Sequence, residues 1–514
     1  MESTPLPSHV RVLVVGAGFG GLATAIKLDE AGERSFLVLE RGSDVGGTWR
    51  DNTYPGAACD VPSQLYSYSF ALNPEWSRSF SPQHEIQTYI QQVAARSGTL
   101  DRFVFDTLVQ DAAWDEEAQV WHVRTSRGEL TADALISAAG ALSDPKNPDI
   151  EGFDSFEGEV FHSAQWNHDY DLAGKRVAVI GTGASSIQIV PEIAPVVEHL
   201  DVYQRTAPWV IPRNDRDYTR VEKLAFKRVP GAQRIYRTLI YWGRESYVPA
   251  FTRFPKLAWP AQQLALANIK RGVSDPALRE EVTPDYRIGC KRILISNSWY
   301  PALDRDNVDL VTDGIAAVTP TGIVTKDGVE REVDAIVVAT GFHTTDLPIA
   351  HHVTGRGGVT LAEHFAEHGM QAYKGSTVHG FPNLFFVVGP NTGLGHSSMV
   401  FMIESQVAYI VDALKHMRTR GIAALQPRAE VQAEYVDDLQ DRMSSSVWST
   451  GGCASWYLDA HGRNVTLWPR ATFTFRRLLA SFDAESYETI VPSLPDAAAE
   501  PVAADLDETT EVMA

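Results

Sequence analysis

The chain has 514 residues, of which 44% are hydrophobic and 21% charged. That is the composition of a soluble globular protein long enough for two or three domains. Its formal charge of −20 argues against nucleic acid or an anionic membrane as a partner. Its three cysteines, Cys59, Cys290 and Cys453, form no Cys-x-x-Cys pair, which argues against a disulfide framework, a thiolate zinc site or a dithiol reductase and fits a reducing cytoplasm.

Residues 1–8 lack the basic flank and apolar core of a signal peptide and are expected to be flexible. No apolar run approaches the ~20 residues needed to span a bilayer, so the expected location is cytoplasmic. A strand over Val10–Val15 then leads into Gly16-Ala-Gly-Phe19-Gly20-Gly21 and a helical stretch. In such a unit Gly16, Gly18, Gly20 and Gly21 let the backbone approach a pyrophosphate, with Phe19 opening the helix whose N–H groups face it. A second apolar strand, Ser35–Leu39, ends at Glu40, 24 residues past the first glycine. An acid there accepts hydrogen bonds from ribose hydroxyls and would repel a 2′-phosphate.

The same pattern returns after Arg176–Ile180 as Gly181-Thr182-Gly183-Ala184-Ser185-Ser186. Here the residue 24 positions on is Arg205, which would pair with a 2′-phosphate. One loop of this kind is weak evidence, whereas two in context imply two dinucleotides, FAD at the first and NADP at the second. Two further apolar strands end in Ala138-Ala-Gly140 and Ala339-Thr-Gly341, as at close crossings between nested domains. The expected fold is therefore α/β. A FAD-binding domain made of residues 9–150 and 336–490 is interrupted by an NADP-binding domain over 151–335. Both are Rossmann-like. Residues 218–279 mix basic, leucine and aromatic residues at helical spacing, with prolines at 230, 249, 255 and 260 breaking the pattern into short helices. A membrane-surface role for this excursion is weighed against a helical lid or homodimer surface, and the latter is preferred. The Ala/Pro-rich tail over 491–514, with six acids and no base, is expected to be disordered.

Between the domains lies Phe156-Glu-Gly-Glu-Val-Phe-His162-Ser-Ala-Gln-Trp166. This Phe-x-Gly-x-x-x-His-x-x-x-Trp string resembles the fingerprint of type I Baeyer–Villiger monooxygenases. The resemblance runs from Gly16 to about Asp483 and includes Gly46–Arg50, Tyr54–Asp60, Gln204–Thr206, Gly289–Arg292 and Gly389–Gly395. One departure is Asn167, where many members have Pro or Asp; it leaves room for a relative that hydroxylates nitrogen or sulfur. The resemblance implies FAD and NADPH as cofactors, with a ketone and O2 as substrates. Oxygen adds at flavin C4a, attacks the carbonyl, and the tetrahedral intermediate rearranges to an ester or lactone. A fixed cation beside the flavin serves the anionic stages.

By the same resemblance Arg292 is the catalytic cation and Asp60 the acid that orients it. Lys291, Arg205 and Thr206 would hold the 2′-phosphate. Gly46, Gly47 and Thr48 form a turn near the flavin, with Trp49 covering the ring system, and Tyr66 and Val109 line the FAD. Asn391 is a ring contact and Trp456 reaches the nicotinamide ribose. His162 is read as a hinge residue and not as a proton donor. No metal site is expected. A plain NADPH oxidase shares every cofactor site and is the harder alternative to exclude.

Overall fold

The computed structural model describes residues 5–459 and 461–490; the acidic-tail expectation lies outside them. The Ser8 carbonyl accepts from the Thr131 N–H at 2.9 Å, and Leu6 packs against the core that includes Val10, Leu13 and Leu37.

Two sheets organise the chain, the first mixed and the second all parallel. The first runs edge to edge through Val353–Thr354, Val109–Asp115, Val120–Thr125, Gly128–Ser137, His9–Val15, Phe36–Leu39 and Phe103–Val104. Its centre is all parallel, with Val14 opposite Val38 on one side and Ile136 on the other. Burial on both faces explains why these strands read as continuous apolar runs. Leu384–Phe386 adds in parallel beside Gly128–Ser137, so the C-terminal part of the chain returns to this sheet, as the discontinuous reading expects. The helix Met399–Arg420 packs against Phe19–Glu30. Ser398 caps its start by accepting from the Val400 N–H, and Gly421 ends it at φ +65°.

The second sheet has the order Val308–Val311, His199–Tyr203, Arg176–Ile180, Ala335–Val338, Glu159–His162, all parallel. Ala335–Val338 is its fourth strand, so this unit reaches at least Val338 instead of stopping at 335. The two chain crossings lie side by side: the Lys146 N–H donates to Gly341 O at 2.9 Å and the His343 N–H to Asp144 O at 3.1 Å.

Each glycine loop packs on the crossing strand of its own sheet. A Cβ on Gly16 (φ +103°) would lie 2.5 Å from Ala138 O, and one on Gly181 (φ +110°) 2.7 Å from Ala339 O. The Ala-Ala-Gly and Ala-Thr-Gly endings are therefore the floors against which the loops turn.

The excursion forms short helices: Arg220–Arg228, Ala232–Glu245, Val248–Thr252, Trp259–Gly272 and Pro276–Glu281. Pro230 lies in the turn between the first two, while Pro249 and Pro260 sit in the first turns of the third and fourth. There the missing N–H would have had no helical partner.

Candidate active site

The segment Tyr54–Asp60 runs against the second unit. A Cβ on Gly56 would lie 2.7 Å from Gln188 O, so only glycine permits this approach. Gln188, on the short helix Ser186–Ile193, clamps the segment: its Nε2 donates to Ala58 O at 3.0 Å and its Oε1 accepts from Tyr54 Oη at 2.9 Å. Two residues beyond that clamp stands Asp60.

Asp60 meets Arg292 in a bidentate pair. Nε donates to Oδ2 at 2.7 Å and Nη2 to Oδ1 at 2.8 Å, while Nη1 donates to Leu394 O at 3.2 Å. The two side chains are 27% and 30% exposed. Burial pushes the Asp60 carboxyl up, but the charge and hydrogen bonds of Arg292, helped by Arg244, outweigh it and the net shift is downward. Asp60 in turn raises the guanidinium pKa against the opposing effect of burial. The pair is a carboxylate and a guanidinium at any working pH. Arg244 approaches Asp60 O at 3.4 Å, and Tyr457, 1% exposed, has a buried hydroxyl with no partner among the described residues. Burial lifts that phenol to about 12, with Arg292 opposing and Asp60 adding. Arg244 and Tyr457 were not singled out from the sequence, which does not show that a phenol will lack a partner.

The first glycine loop joins Gly46–Thr48. A Cβ on Gly18 would stand 3.7 Å from Gly47 Cα, ordinary contact that leaves the loop open there. Glu40 is 5% exposed and already engaged. It accepts from the Ala17 and Gly42 N–H groups and from Arg50 Nη1, each at 2.8 Å, so three of its roughly four acceptor positions are taken. Trp49 Nε1 donates to Tyr66 Oη at 3.0 Å with the rings edge to face, and Phe19 packs edge-on against Tyr66. Thr48 Oγ1 reaches Leu142 O at 3.4 Å. Val109 is buried in the core layer beneath the hairpin. Asn391 (φ +57°) donates its amide to the carbonyls of Asn464 and Leu467, so its NH2 group holds that turn.

At the second loop a Cβ on Gly183 would meet nothing within 4 Å, and the buried Ser186 Oγ has no partner among the described residues. Thr182 Oγ1 donates to Thr206 O at 3.2 Å, joining loop and strand end. Arg205 is exposed, and neither it nor Lys291 has a carboxylate partner among the described residues. Burial lowers the Lys291 ammonium and the like charge of Arg205 lowers it further. Two cations without carboxylate partners beside an open glycine loop fit a polyanion between them. Ala184 and Ser185 complete the turn, and Trp456, 45% exposed, lies with its ring 4.4 Å from that of Tyr457.

The cysteine reading is corrected. Cys290 and Cys453 form a disulfide, and Cys59 is the buried free thiol. The bond ties the Lys291–Arg292 segment to the loop carrying Trp456 and Tyr457, and it removes the cysteine argument for a reducing compartment. His162 Nδ1 accepts from the Ala164 N–H at 3.1 Å and burial lowers its pKa, favouring a neutral packing residue. Against the expectation of no metal stands one group, His199, Asp201 and Asp309. Arg331 lies 3.6 Å from Asp201, a cation already beside that carboxylate.

A family model described as pyridine nucleotide-disulphide oxidoreductase matches residues 13–229. A Baeyer-Villiger monooxygenase of Streptomyces coelicolor is 51% identical over 505 residues, 98% of this chain and 97% of that protein. One from Pseudomonas aeruginosa is 50% identical over 95% and 93% of the two chains. Among solved structures, an oxidized steroid monooxygenase bound to NADP matches with a TM-score of 0.83 at 33% identity, over 95% of this chain and 100% of that one. A closed cyclohexanone monooxygenase gives 0.85 at 27% identity, with coverages of 95% and 100%. Identity of about half over nearly the whole length decides the assignment: the chain belongs to the Baeyer–Villiger monooxygenase family.

Proposed function

We propose that this protein uses NADPH and O2 to insert one oxygen atom beside a ketone carbonyl, giving an ester or lactone, in the cytoplasm. The observation that carries the reading is the bidentate Asp60–Arg292 pair, a permanent cation on the same segment as Lys291. The first loop, with Gly16, Gly18, Gly20, Gly21, Glu40 and Gly46–Trp49, would hold FAD. The second, with Gly181–Ser186, Arg205, Thr206 and Lys291, would hold NADP. The open space at Gly183 and the unpartnered Ser186 hydroxyl fit a bound phosphate. When bound, NADPH supplies the hydride and FAD the two-electron activation of O2.

The protein's own part is electrostatic. Arg292 stabilises negative charge where the carbonyl oxygen gains it, and it can do so without titrating because arginine stays protonated when poorly solvated. Asp60 fixes the guanidinium plane and leaves Nη1, now spent on Leu394 O, as the donor able to turn to a substrate oxygen. Tyr457 offers a second unpaired donor. Half-burial keeps water from screening the pair fully.

The test is turnover of a ketone panel with NADPH under 18O2. An ester carrying one labelled oxygen, with NADH a poor substitute, is the expected result. NADPH consumption with stoichiometric hydrogen peroxide and no ester would make it an oxidase. Oxygenation confined to amines or sulfides would make it a hydroxylating relative.

A further inference from the structure

The helical excursion turns many large apolar side chains to solvent. Of twenty large hydrophobic side chains exposed among the described residues, eleven lie between 220 and 264. The helix Ala232–Glu245 shows how this arises. Gln233 donates to Gln64 and Asn73, Arg237 to the carbonyls of Gln64 and Leu65, and Arg244 to that of Asp60. Spaced 233, 237, 244, these polar residues form the docked stripe. Ile235, Leu239 and Trp242 form the opposite stripe and are 64%, 66% and 54% exposed. Further along the chain Phe254, Leu257 and Trp259 are 52%, 60% and 63% exposed. Exposed apolar side chains in this number and spacing mark an interaction surface.

Charge selects the partner. Residues 220–259 carry nine Arg and Lys against two acids in a chain of formal charge −20. Arg220, Arg228, Arg234, Arg253 and Lys256 are exposed, and none has a carboxylate partner among the described residues. A second copy of the chain seated face to face would set these cations against their own kind. A surface rich in aromatic and aliphatic tips rimmed by unpaired cations has the composition of an interfacial membrane anchor. The net charge that argued against a membrane resides elsewhere on the molecule and would turn the rest of it away from the lipid.

We propose that this face seats the enzyme on an anionic lipid bilayer. The opposite stripe of the same helix contacts Asp60, so the bilayer would lie about one helix diameter, ~10 Å, from the catalytic pair. An apolar ketone dissolved in lipid would then reach the site without crossing water. That consequence rests on the ketone reading; the binding itself does not.

The experiment is flotation of the FAD-loaded protein with vesicles of phosphatidylcholine alone or equimolar with phosphatidylglycerol. Binding is expected to the mixed vesicles and to weaken with added salt. Leu239→Asp should weaken it roughly ten-fold or more, from the lost burial of one large apolar side chain. Replacing Arg234, Arg253 and Lys256 by Gln should weaken it on the order of a hundred-fold, at ~1 kcal/mol per cation, and abolish the lipid preference. Both variants should retain FAD and turnover of a water-soluble ketone. Should Leu239→Asp lose FAD through misfolding, the Gln variant decides. Protein that stays unbound with both vesicle types, or variants that float like the parent, overturn the proposal. A dimer dissolved by Leu239→Asp, without flotation, overturns it too and gives the face to a second copy.

Discussion

Asp60→Asn isolates the charge of the catalytic pair while keeping its shape. The parent carboxylate accepts two charge-assisted hydrogen bonds at 2.7 and 2.8 Å. Asparagine keeps one acceptor and turns an NH2 toward the other guanidinium N–H. A hydrogen bond to a charged group is worth about 1.5–3 kcal/mol. Side chains 27% and 30% exposed place this pair toward the lower end of that range, because solvent screens it. A loss of about 2 kcal/mol in holding Arg292 would lower ester formation roughly 30-fold. Consumption of NADPH should fall less, because the proposed NADP cradle at Gly181–Ser186 is untouched. The assay measures NADPH consumption, hydrogen peroxide and ester in one reaction. The ester fraction should fall and the peroxide fraction rise, with FAD content unchanged. Parental ester yield from a fully FAD-loaded Asp60→Asn would refute the role given to the pair. A loss of FAD in proportion to activity would instead make Asp60 a structural residue.

Four other outcomes follow from the same geometry. Arg205→Gln should raise the KM for NADPH roughly 10- to 100-fold, the loss of one charge-assisted contact, while the KM for NADH stays near parental; an equal effect on both would remove the phosphate assignment. Because burial and Arg205 depress the Lys291 ammonium, its charge is present at low pH and is lost as pH rises through a value below the usual ~10.4. kcat/KM for NADPH should therefore fall on the alkaline side earlier than an ordinary lysine predicts, and Lys291→Arg should flatten that limb. Gly21→Ala places a Cβ 1.8 Å from Gly16 O, whereas Gly183→Ala meets nothing. The first should lose FAD on purification; the second should melt like the parent in a thermal scan but bind NADPH more weakly. Gln188→Ala removes the bond to Ala58 O and should cost about 1 kcal/mol, read as more peroxide per NADPH at an unchanged NADPH KM.

What could be read from the sequence was local backbone necessity. Gly16 and Gly181 need positive φ and a floor without side chains, and the floors at Ala138 and Ala339 carry their own Ala-x-Gly signature. Such constraints are written within a few residues. What escaped depends on partners far along the chain. Cys290 and Cys453 are 163 residues apart, and nothing in their neighbourhoods announces the pairing. Glu40 is at the expected offset, but Arg50, ten residues on, already occupies part of it. The excursion shows the limit most clearly. Helical periodicity reveals that Ala232–Glu245 has a polar and an apolar stripe, but not which one docks. Gln64 Oε1 accepts from Gln233, and the Gln64 and Leu65 carbonyls accept from Arg237, so these polar residues dock beside Tyr236, Ile240 and Tyr241, which pack on the core.

The helix Ser186–Ile193 gives the two cradles a mechanical connection. Its first turn carries the unpartnered Ser186 hydroxyl at the mouth of the second glycine loop, and two residues later Gln188 grips Ala58. With only eight residues, about two turns, the helix carries the loop mouth and the Ala58 contact on one short element. Gly56 leaves no room for a side chain, because a Cβ there would lie 2.7 Å from Gln188 O. Asp60 lies two residues past Ala58 and pairs with Arg292 in a bidentate contact. On the proposed assignment, occupation of the second cradle and orientation of Arg292 would be linked through this one short element, which is why Gln188 is expected to alter the product ratio before it alters affinity for NADPH.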